Sequence, residues 1–145
     1  MFLTGFNMRK RTFARECALK ILYRIEISKE SVDSSLKDFW SKTSDSLDKN
    51  SRDFAEVLVK GTCENLAAID KIISKHADNW NISRMAVIDR NVMRMAAYEM
   101  LFRDDIPLNV SINEAIELAK KYGDVDSGKF VNGILDKIKK TECKR

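Results

Sequence analysis

Four cationic side chains stand near the amino terminus of this 145-residue chain, with an aromatic residue among them. They are Arg9, Lys10, Arg11 and Arg15, and Phe13 lies between the last two. On a helix, Arg11 and Arg15 share a face. Guanidinium groups fork onto phosphate oxygens and stack on bases, so the run favours RNA with unpaired bases over duplex DNA. Short basic runs before a first helix also occur in proteins that bind no nucleic acid, and this alternative stays open.

Residues that could carry out catalysis or bind a metal are few. His76 is the only histidine, so a metal site with two histidines is excluded. We interpret His76 as a packing or capping residue. Residues 123–129 have the spacing of a phosphate loop, but Phe130 stands where the loop needs a hydroxyl residue, and no predicted strand precedes them. Asp89 and Glu99, or Asp104 and Asp105, could pair as carboxylates, but neighbouring arginines favour solvated ion pairs or helix caps. We therefore predict no catalytic site, no metal, no cofactor and no enzymatic activity.

The three cysteines, Cys17, Cys63 and Cys143, are far apart. Their spacing fits neither a disulfide framework nor a zinc site, which predicts a reduced cytoplasmic protein. No stretch approaches the roughly 18 uninterrupted apolar residues of a membrane span. We therefore expect no membrane association.

The charge is distributed unevenly along the chain. Residues 1–30 carry a net charge of +4, residues 31–136 carry −4, and residues 137–145 carry +4. If folding brings the two basic ends together, they would form a docking surface for a polyanion. Basic ends that only keep the protein in solution would give the same distribution, and both interpretations stay open.

The composition favours helices. One proline and five glycines are too few for a many-stranded β-protein, which needs a turn about every 8–12 residues. Apolar residues recur at intervals of three and four, the spacing of one helix face. The predicted helices cover residues 12–28, 32–42, 51–80, 84–103 and 111–122, and a last helix is capped by Asp124 or Asp126. Residues 41–50 are polar and predict the main loop.

Two local patterns are informative about single helices. Residues 84–103 are apolar nearly all round, which predicts a buried central helix. Ser111 and Glu114 match a capping box, in which a hydroxyl and a carboxylate bond reciprocally to free N–H groups of the first turn. Gly123 follows that helix and is predicted to adopt the left-handed conformation that ends many helices.

These helices fall into two groups, about residues 12–76 and 84–140, with a short link around residues 79–83. We therefore predict an all-α protein made of two small three-helix-like bundles packed together. The bundles would form a single domain over residues 12–145, preceded by a flexible basic arm over residues 1–11.

Four segments resemble the NusB family of bacterial transcription antitermination factors. They occur in the family's order and spacing and cover nearly the whole chain from Arg9. The segments are residues 14–23 (ARECALKILY), 89–101 (DRNVMRMAAYEML), 111–123 (SINEAIELAKKYG) and 126–137 (DSGKFVNGILDK). The last two are the most specific.

The resemblance implies a NusB-like fold and a function that needs no catalysis. NusB proteins pair with a small-subunit ribosomal protein, called NusE in this role, and bind the boxA element of nascent RNA. The complex joins RNA polymerase and other Nus factors and suppresses premature termination, chiefly on ribosomal RNA operons. Family members occur as monomers or as dimers, so a homodimer is also compatible with the resemblance.

The resemblance also implies RNA contacts at nine positions. These residues are Arg9, Lys10, Arg11, Arg15, Tyr23, Asp126, Ser127, Lys129 and Phe130. The four cations would contact phosphates and bases, and the other five would line the adjoining RNA surface. Thr12 and Phe13 stand where arginines continue the arm in relatives, so we expect weaker RNA binding by this chain alone.

We expect the start of the first helix and the start of the last helix to lie side by side, which would gather the basic ends into one patch. The acidic middle of the chain would then face a basic ribosomal protein. Two other functions remain open. The chain could be the detached RNA-binding domain of a ribosomal-RNA-modifying enzyme, or a helical protein–protein adaptor that never touches RNA.

Overall fold

The computed structural model describes residues 5–43, 47–78 and 80–145, with side chains from Arg9 onward. The described residues form helices and no strand, which confirms the all-α class. The helices are α1 (Gly5–Ser28), α2 (Val32–Lys42), α3 (Lys49–Glu64), α4 (Leu66–His76), α5 (Val87–Phe102), α6 (Leu108–Tyr122) and α7 (Ser127–Glu142), with a 3₁₀ turn at Ile82–Arg84. Among the described helices, none is both long and apolar enough to cross a membrane.

The chain divides into two compact units, Met1–Cys63 and Glu64–Arg145. The sequence instead placed the boundary between residues 76 and 84. The division falls earlier because α4 packs against α5 and α7 and so belongs with the second group of helices. A single domain over residues 12–145 remains a prediction.

In the first unit, α1 begins at Gly5 and not at the predicted Thr12. Residues 5–11 contain no proline, and Met, Arg and Lys are good helix formers, so nothing in this segment stops the helix. The basic residues of the predicted arm are therefore part of α1, while residues 1–4 lie outside the described residues. The helix ends at Ser28 as predicted, followed by Lys29 with a φ of 64°.

Helix α2 has the predicted bounds and contacts both α1 and α3. Its cap is Ser31, whose hydroxyl accepts a hydrogen bond from the Ser34 N–H at 3.1 Å. Helix α2 packs against α1, and Trp40 Nε1 donates to Glu56 of α3 at 2.9 Å. The predicted loop over residues 41–50 is shorter than expected, because α2 continues to Lys42 and α3 begins at Lys49; residues 44–46 lie outside the described residues.

The predicted helix over residues 51–80 is two helices. Asn65 interrupts it with φ −112° and ψ 19° and occupies the N-cap position of α4, a position at which asparagine is favoured. Helix α4 ends at His76, which is buried as expected for a packing residue. His76 Nε2 lies 2.8 Å from Glu142 Oε2 and 3.1 Å from Thr141 Oγ1. Trp80 follows the helix and is exposed, so it does not extend the apolar face.

Helix α5 is the central helix of the second unit, as its nearly continuous apolar surface predicted. It packs against α4, α6 and α7, and ten of its 16 residues are buried. The solvated ion pair expected at Asp105 is confirmed, since Arg103 Nη2 lies 2.8 Å from its Oδ2. Those expected at Asp89 and Glu99 are wrong, because these residues are 7% and 1% exposed. Glu99 instead accepts a hydrogen bond from Ser111 Oγ at 2.8 Å.

The predicted capping box at Ser111 and Glu114 is also wrong. Helix α6 already begins at Leu108, and the carbonyl oxygen of Pro107 accepts bonds from the N–H groups of Val110 and Ser111. Proline suits a helix start because it has no N–H to leave without a partner. The Ser111 side chain is therefore inside the helix and bonds across to α5.

Candidate nucleic-acid interface

The first group of predicted RNA-binding residues lies on α1. We call Arg9, Lys10, Arg11, Arg15 and Tyr23 the α1 group. Arg9 is exposed, while Lys10 and Arg11 are half-buried. Lys10 Nζ donates to Asp48 Oδ2 at 2.6 Å. A phosphate that binds Lys10 would therefore share the ammonium group with Asp48 or displace this carboxylate.

Arg11 and Arg15 share one face of α1, as their spacing predicted, and both guanidinium groups lie over the ring of Phe54. The Arg11 guanidinium carbon is 4.3 Å from the ring centroid, and that of Arg15 is 5.3 Å away. Cations are attracted to the face of an aromatic ring at such distances. Arg15 is only 3% exposed, so this structure presents little of its side chain to a ligand.

Asp48 caps helix α3 and also pairs with Lys10 of the α1 group. It precedes α3, and its Oδ1 accepts a hydrogen bond from the Ser51 N–H at 2.8 Å, the bond of a helix N-cap. The hydrogen bond from Lys10, followed by those from Ser51, lowers the pKa of Asp48 to about 2. Asp48 is therefore charged at neutral pH and holds Lys10 in a defined place.

Tyr23 is 43% exposed and can offer one ring face to a base. Other exposed residues of α1 precede it at helical spacing: Phe13 is ten residues earlier and Lys20 three residues earlier. With Arg9, these residues place cations and aromatic rings in alternation along the exposed side of the helix. Cations combined with exposed aromatic rings are the groups with which proteins bind single-stranded nucleic acid.

The second group of predicted residues lies where α7 begins. We call Asp126, Ser127, Lys129 and Phe130 the α7 group. Asp126 occupies the predicted cap position but makes no side-chain cap bond. Asp124 makes the polar contacts instead, since its Oδ1 accepts from the Asp126 N–H at 3.0 Å and from Ser127 Oγ at 3.2 Å.

Gly123 matters here through close approach and not through a left-handed conformation. Its φ of −93° and ψ of −160° are not left-handed, so that prediction is wrong. A β-carbon at residue 123 would collide with Ser127 Oγ and would lie 2.7 Å from the Ala119 carbonyl oxygen. The absence of a side chain allows the chain to turn tightly from α6 into α7.

The members of the α7 group differ in exposure. Asp126 and Lys129 are exposed and Phe130 is half-buried. Ser127 is 1% exposed, and its Oγ accepts from the Asp124 N–H at 2.9 Å. Ser127 therefore shapes the turn, while Asp126, Lys129 and the open part of Phe130 are available to a ligand.

Asp89 lies buried beside this turn. Burial raises the pKa of its carboxyl, a hydrogen bond from Ser127 opposes the rise, and the charge of Asp124 adds to it. Asp89 Oδ1 has no hydrogen-bond partner among the described residues. The turn before α7 is thus built next to a carboxylate that burial disfavours in its charged form.

Each group lies on one helix. That the two groups lie close to each other stays a prediction.

Sequence reasoning missed Asp48 and Phe54, which position the cations of the α1 group. The signal for Asp48 was a carboxylate three residues before Ser51, in the position of a helix cap. Nothing in the sequence linked Phe54 to Arg11, because that contact depends on how α3 packs.

The comparisons with known proteins agree with one another. Residues 12–140 match the NusB family. The transcription antitermination protein NusB of Thermodesulfovibrio yellowstonii is 43% identical over 141 residues, covering 92% of this chain and 93% of that protein. The NusB of Anaeromyxobacter dehalogenans is 48% identical over 129 residues, covering 89% of each chain.

Solved structures give the same result. NusB of T. maritima superposes with a TM-score of 0.83 at 42% identity, covering 90% of this chain and 91% of that one. A crystal structure of the antitermination factors NusB and NusE in complex with dsRNA matches with a TM-score of 0.83 at 32% identity, covering 92% of this chain and 98% of that one.

Proposed function

Because the chain belongs to the NusB family, we propose that it is an RNA-binding transcription antitermination factor. With the ribosomal protein NusE it binds boxA RNA in nascent transcripts. The complex joins RNA polymerase and other Nus factors and helps the polymerase resist termination, chiefly on ribosomal RNA operons. The observation that carries this proposal is the likeness, over nearly the whole chain, to a NusB that was solved in complex with NusE and dsRNA.

We assign RNA contacts to both groups of residues. Arg9, Lys10 and Arg11 would contact phosphates, where guanidinium and ammonium groups form charge-assisted hydrogen bonds. Arg15 would contribute at the edge of this set, because most of its side chain is covered. Tyr23 would stack on an unpaired base.

In the α7 group, Lys129 would add a phosphate contact and Phe130 a ring edge or face. The exposed Asp126 carboxylate can accept hydrogen bonds from base amino groups, which would favour some bases over others. Ser127 would act through the turn that it holds together with Asp124. The α7 group would therefore supply selectivity, while the α1 group supplies most of the electrostatic attraction.

The partner protein compensates for weak RNA binding by the chain alone. Two weak RNA binders that associate with each other hold the RNA more tightly than either does separately, because the second contact becomes intramolecular. The acidic middle of this chain, residues 31–136 with a net charge of −4, suits a basic ribosomal protein. We assign no catalytic step to this function, which takes place in the cytoplasm, where the transcript is made.

A gel-shift titration of labelled boxA RNA tests the proposal, carried out with the chain alone, with NusE alone and with both. We expect weak binding by the chain alone and at least tenfold tighter binding with NusE. A boxA sequence in scrambled order is the control and should bind less tightly under both conditions. RNA binding without any effect of NusE would favour the RNA-modification alternative, and NusE binding without RNA binding would favour the adaptor; either result would contradict the proposal.

A further inference from the structure

Trp80 lies between α4 and the 3₁₀ turn, and its side chain is 56% exposed. A single exposed apolar residue is common on protein surfaces and has no meaning by itself. Tryptophan, however, has the largest aromatic surface of any residue, and its flat ring loses little conformational freedom on binding. Its neighbours decide whether the exposed ring has a function.

The ring of Trp80 contacts Phe130 of the α7 group. The two ring centroids are 5.8 Å apart and the planes meet at 70°, an edge-to-face arrangement. If the indole presents its edge to Phe130, both of its faces stay uncovered by the partner ring. If it presents a face, the opposite face stays uncovered. Since more than half of the Trp80 side chain is exposed, a flat group can stack on it while Phe130 supports it from the side.

The segment that carries Trp80 is held in place at several points. The Trp80 N–H donates to the Ala77 carbonyl oxygen at 2.9 Å. Asn81 Oδ1 accepts from the N–H and the hydroxyl of Ser83 at 3.2 and 3.0 Å. On the other side, Lys137 Nζ of α7 lies 3.1 Å from Asp78 Oδ2. The described residues on both sides of the indole are therefore hydrogen-bonded, and Asp78 is also paired with α7.

The charges around this aromatic pair are mixed. Lys129 directly precedes Phe130 in α7 and is exposed, so a cation stands in the same helical turn as the Phe130 ring, on an adjoining face of the helix. Lys137 is half exposed and is paired with Asp78, and Asp126 is an exposed acid one turn before Phe130. A nucleotide, which combines a flat apolar base with a phosphate, fits an aromatic pair beside a lysine better than a purely apolar ligand does.

We propose that Trp80 and Phe130 together form a stacking platform for one unpaired base of the bound RNA, with Trp80 supplying most of the exposed ring surface. This inference rests on the proposed function and adds a residue to its RNA surface. The α7 group then binds a base by two rings, and the half-buried Phe130 serves mainly to hold the indole in position.

Equilibrium binding of boxA RNA by Trp80 variants tests the platform, in the presence and absence of NusE. We expect Trp80→Leu to weaken RNA binding about fivefold or more, the lower limit for one stacked base. Trp80→Phe should recover most of the affinity, because it keeps a flat ring. Phe102→Leu is the matched control, since Phe102 is 47% exposed and stacks on Tyr98 with centroids 5.7 Å apart; it should bind RNA as the unchanged chain does.

Fluorescence gives a second, direct readout. In a Trp40→Phe chain, Trp80 is the only tryptophan, and a base stacked on the indole should quench its emission in step with binding. Unchanged RNA affinity of Trp80→Leu, in a chain that itself binds RNA, would overturn the platform but not the proposed function. A loss seen only when NusE is present, without quenching by RNA alone, would mean that Trp80 contacts protein and would also overturn it. A failure of the unchanged chain to bind RNA, with or without NusE, would overturn both.

Discussion

At the scale of single residues, two cations of the α1 group, Lys10 and Arg11, already contact other side chains in the chain without RNA. Lys10 bonds to Asp48 and Arg11 lies over Phe54. Contacts of this kind at a protein surface are weak, because water and salt screen them. In the proposed complex an RNA phosphate would therefore compete with the Asp48 carboxylate for Lys10.

The charge of Asp48 predicts a dependence of stability on pH. The pKa of Asp48 is about 2 in the folded chain, below its ordinary value, so its charged form stabilises the folded state. This contribution is complete above about pH 4 and is lost as the pH falls towards 2. Asp48→Asn should therefore lower the urea midpoint at pH 5 and have a smaller effect at pH 2.5, measured by circular dichroism. An equal difference at both pH values would contradict this role.

Asp89 predicts the opposite dependence of stability on pH. Burial raises its pKa, so the folded state disfavours the charged carboxylate and becomes more stable as the pH falls towards the raised value. Asp89→Asn keeps an acceptor for Ser127 without the charge. We expect its melting temperature at pH 7 to exceed that of the unchanged chain, because the substitution removes a charge that burial disfavours. The difference in melting temperature between Asp89→Asn and the unchanged chain should shrink as the pH approaches 4. A difference that is independent of pH would contradict this role of the Asp89 charge.

At the scale of helices, the early start of α1 is the feature with the clearest consequence for function. Thr12→Pro would remove a backbone N–H and force the helix to begin near residue 12, where proline is tolerated. Arg9, Lys10 and Arg11 would keep their charge but lose their helical arrangement. We expect RNA affinity to fall several-fold while the circular dichroism of the rest of the chain is retained, and Thr12→Ala to have little effect. Equal affinity of both variants would show that the helical start has no part in binding.

Some helices could be predicted from the sequence because their signals are local. Helix α2 has a serine cap, and α5 has apolar residues on nearly every side. The break at Asn65 was hidden because α3 and α4 continue the same apolar spacing through it. The start of α6 was misplaced because Ser111 fits a cap as well as it fits a bond to Glu99, and only the packing of α6 on α5 decides between them.

The candidate interface could be predicted only in part, because the exposure of its residues depends on how the helices pack. The types and positions of the nine residues follow from the sequence and the family resemblance, but their exposure does not. Arg15 and Ser127 look like surface residues in the sequence and are buried in the structure. Trp80 is the last residue of the predicted helix over residues 51–80, and its contact with Phe130 appears only once the chain has folded.

At the scale of the whole molecule, the net charge of +4 comes from two basic ends and an acidic middle. In the proposed complex the basic amino-terminal end would attract RNA, while the acidic middle, which also contains the α7 group, would attract a basic protein. Electrostatic attraction of this kind raises the rate of association and depends strongly on salt. The salt dependence of RNA binding therefore measures how many cations of the chain take part.

The most direct test of the account is the slope of log K against log salt concentration for boxA RNA and the chain alone, by filter binding. With four to six phosphates neutralised, we predict a slope of about −3 to −4, at about 0.7 per phosphate of a single strand. Changing Arg9, Lys10 and Arg11 together to alanine should reduce its size by about two. The matched control changes Lys37, Lys42 and Lys60 of the same unit, which are exposed, and should leave the slope unchanged. A slope near zero, or the same slope in both triple variants, would contradict RNA binding through the α1 group.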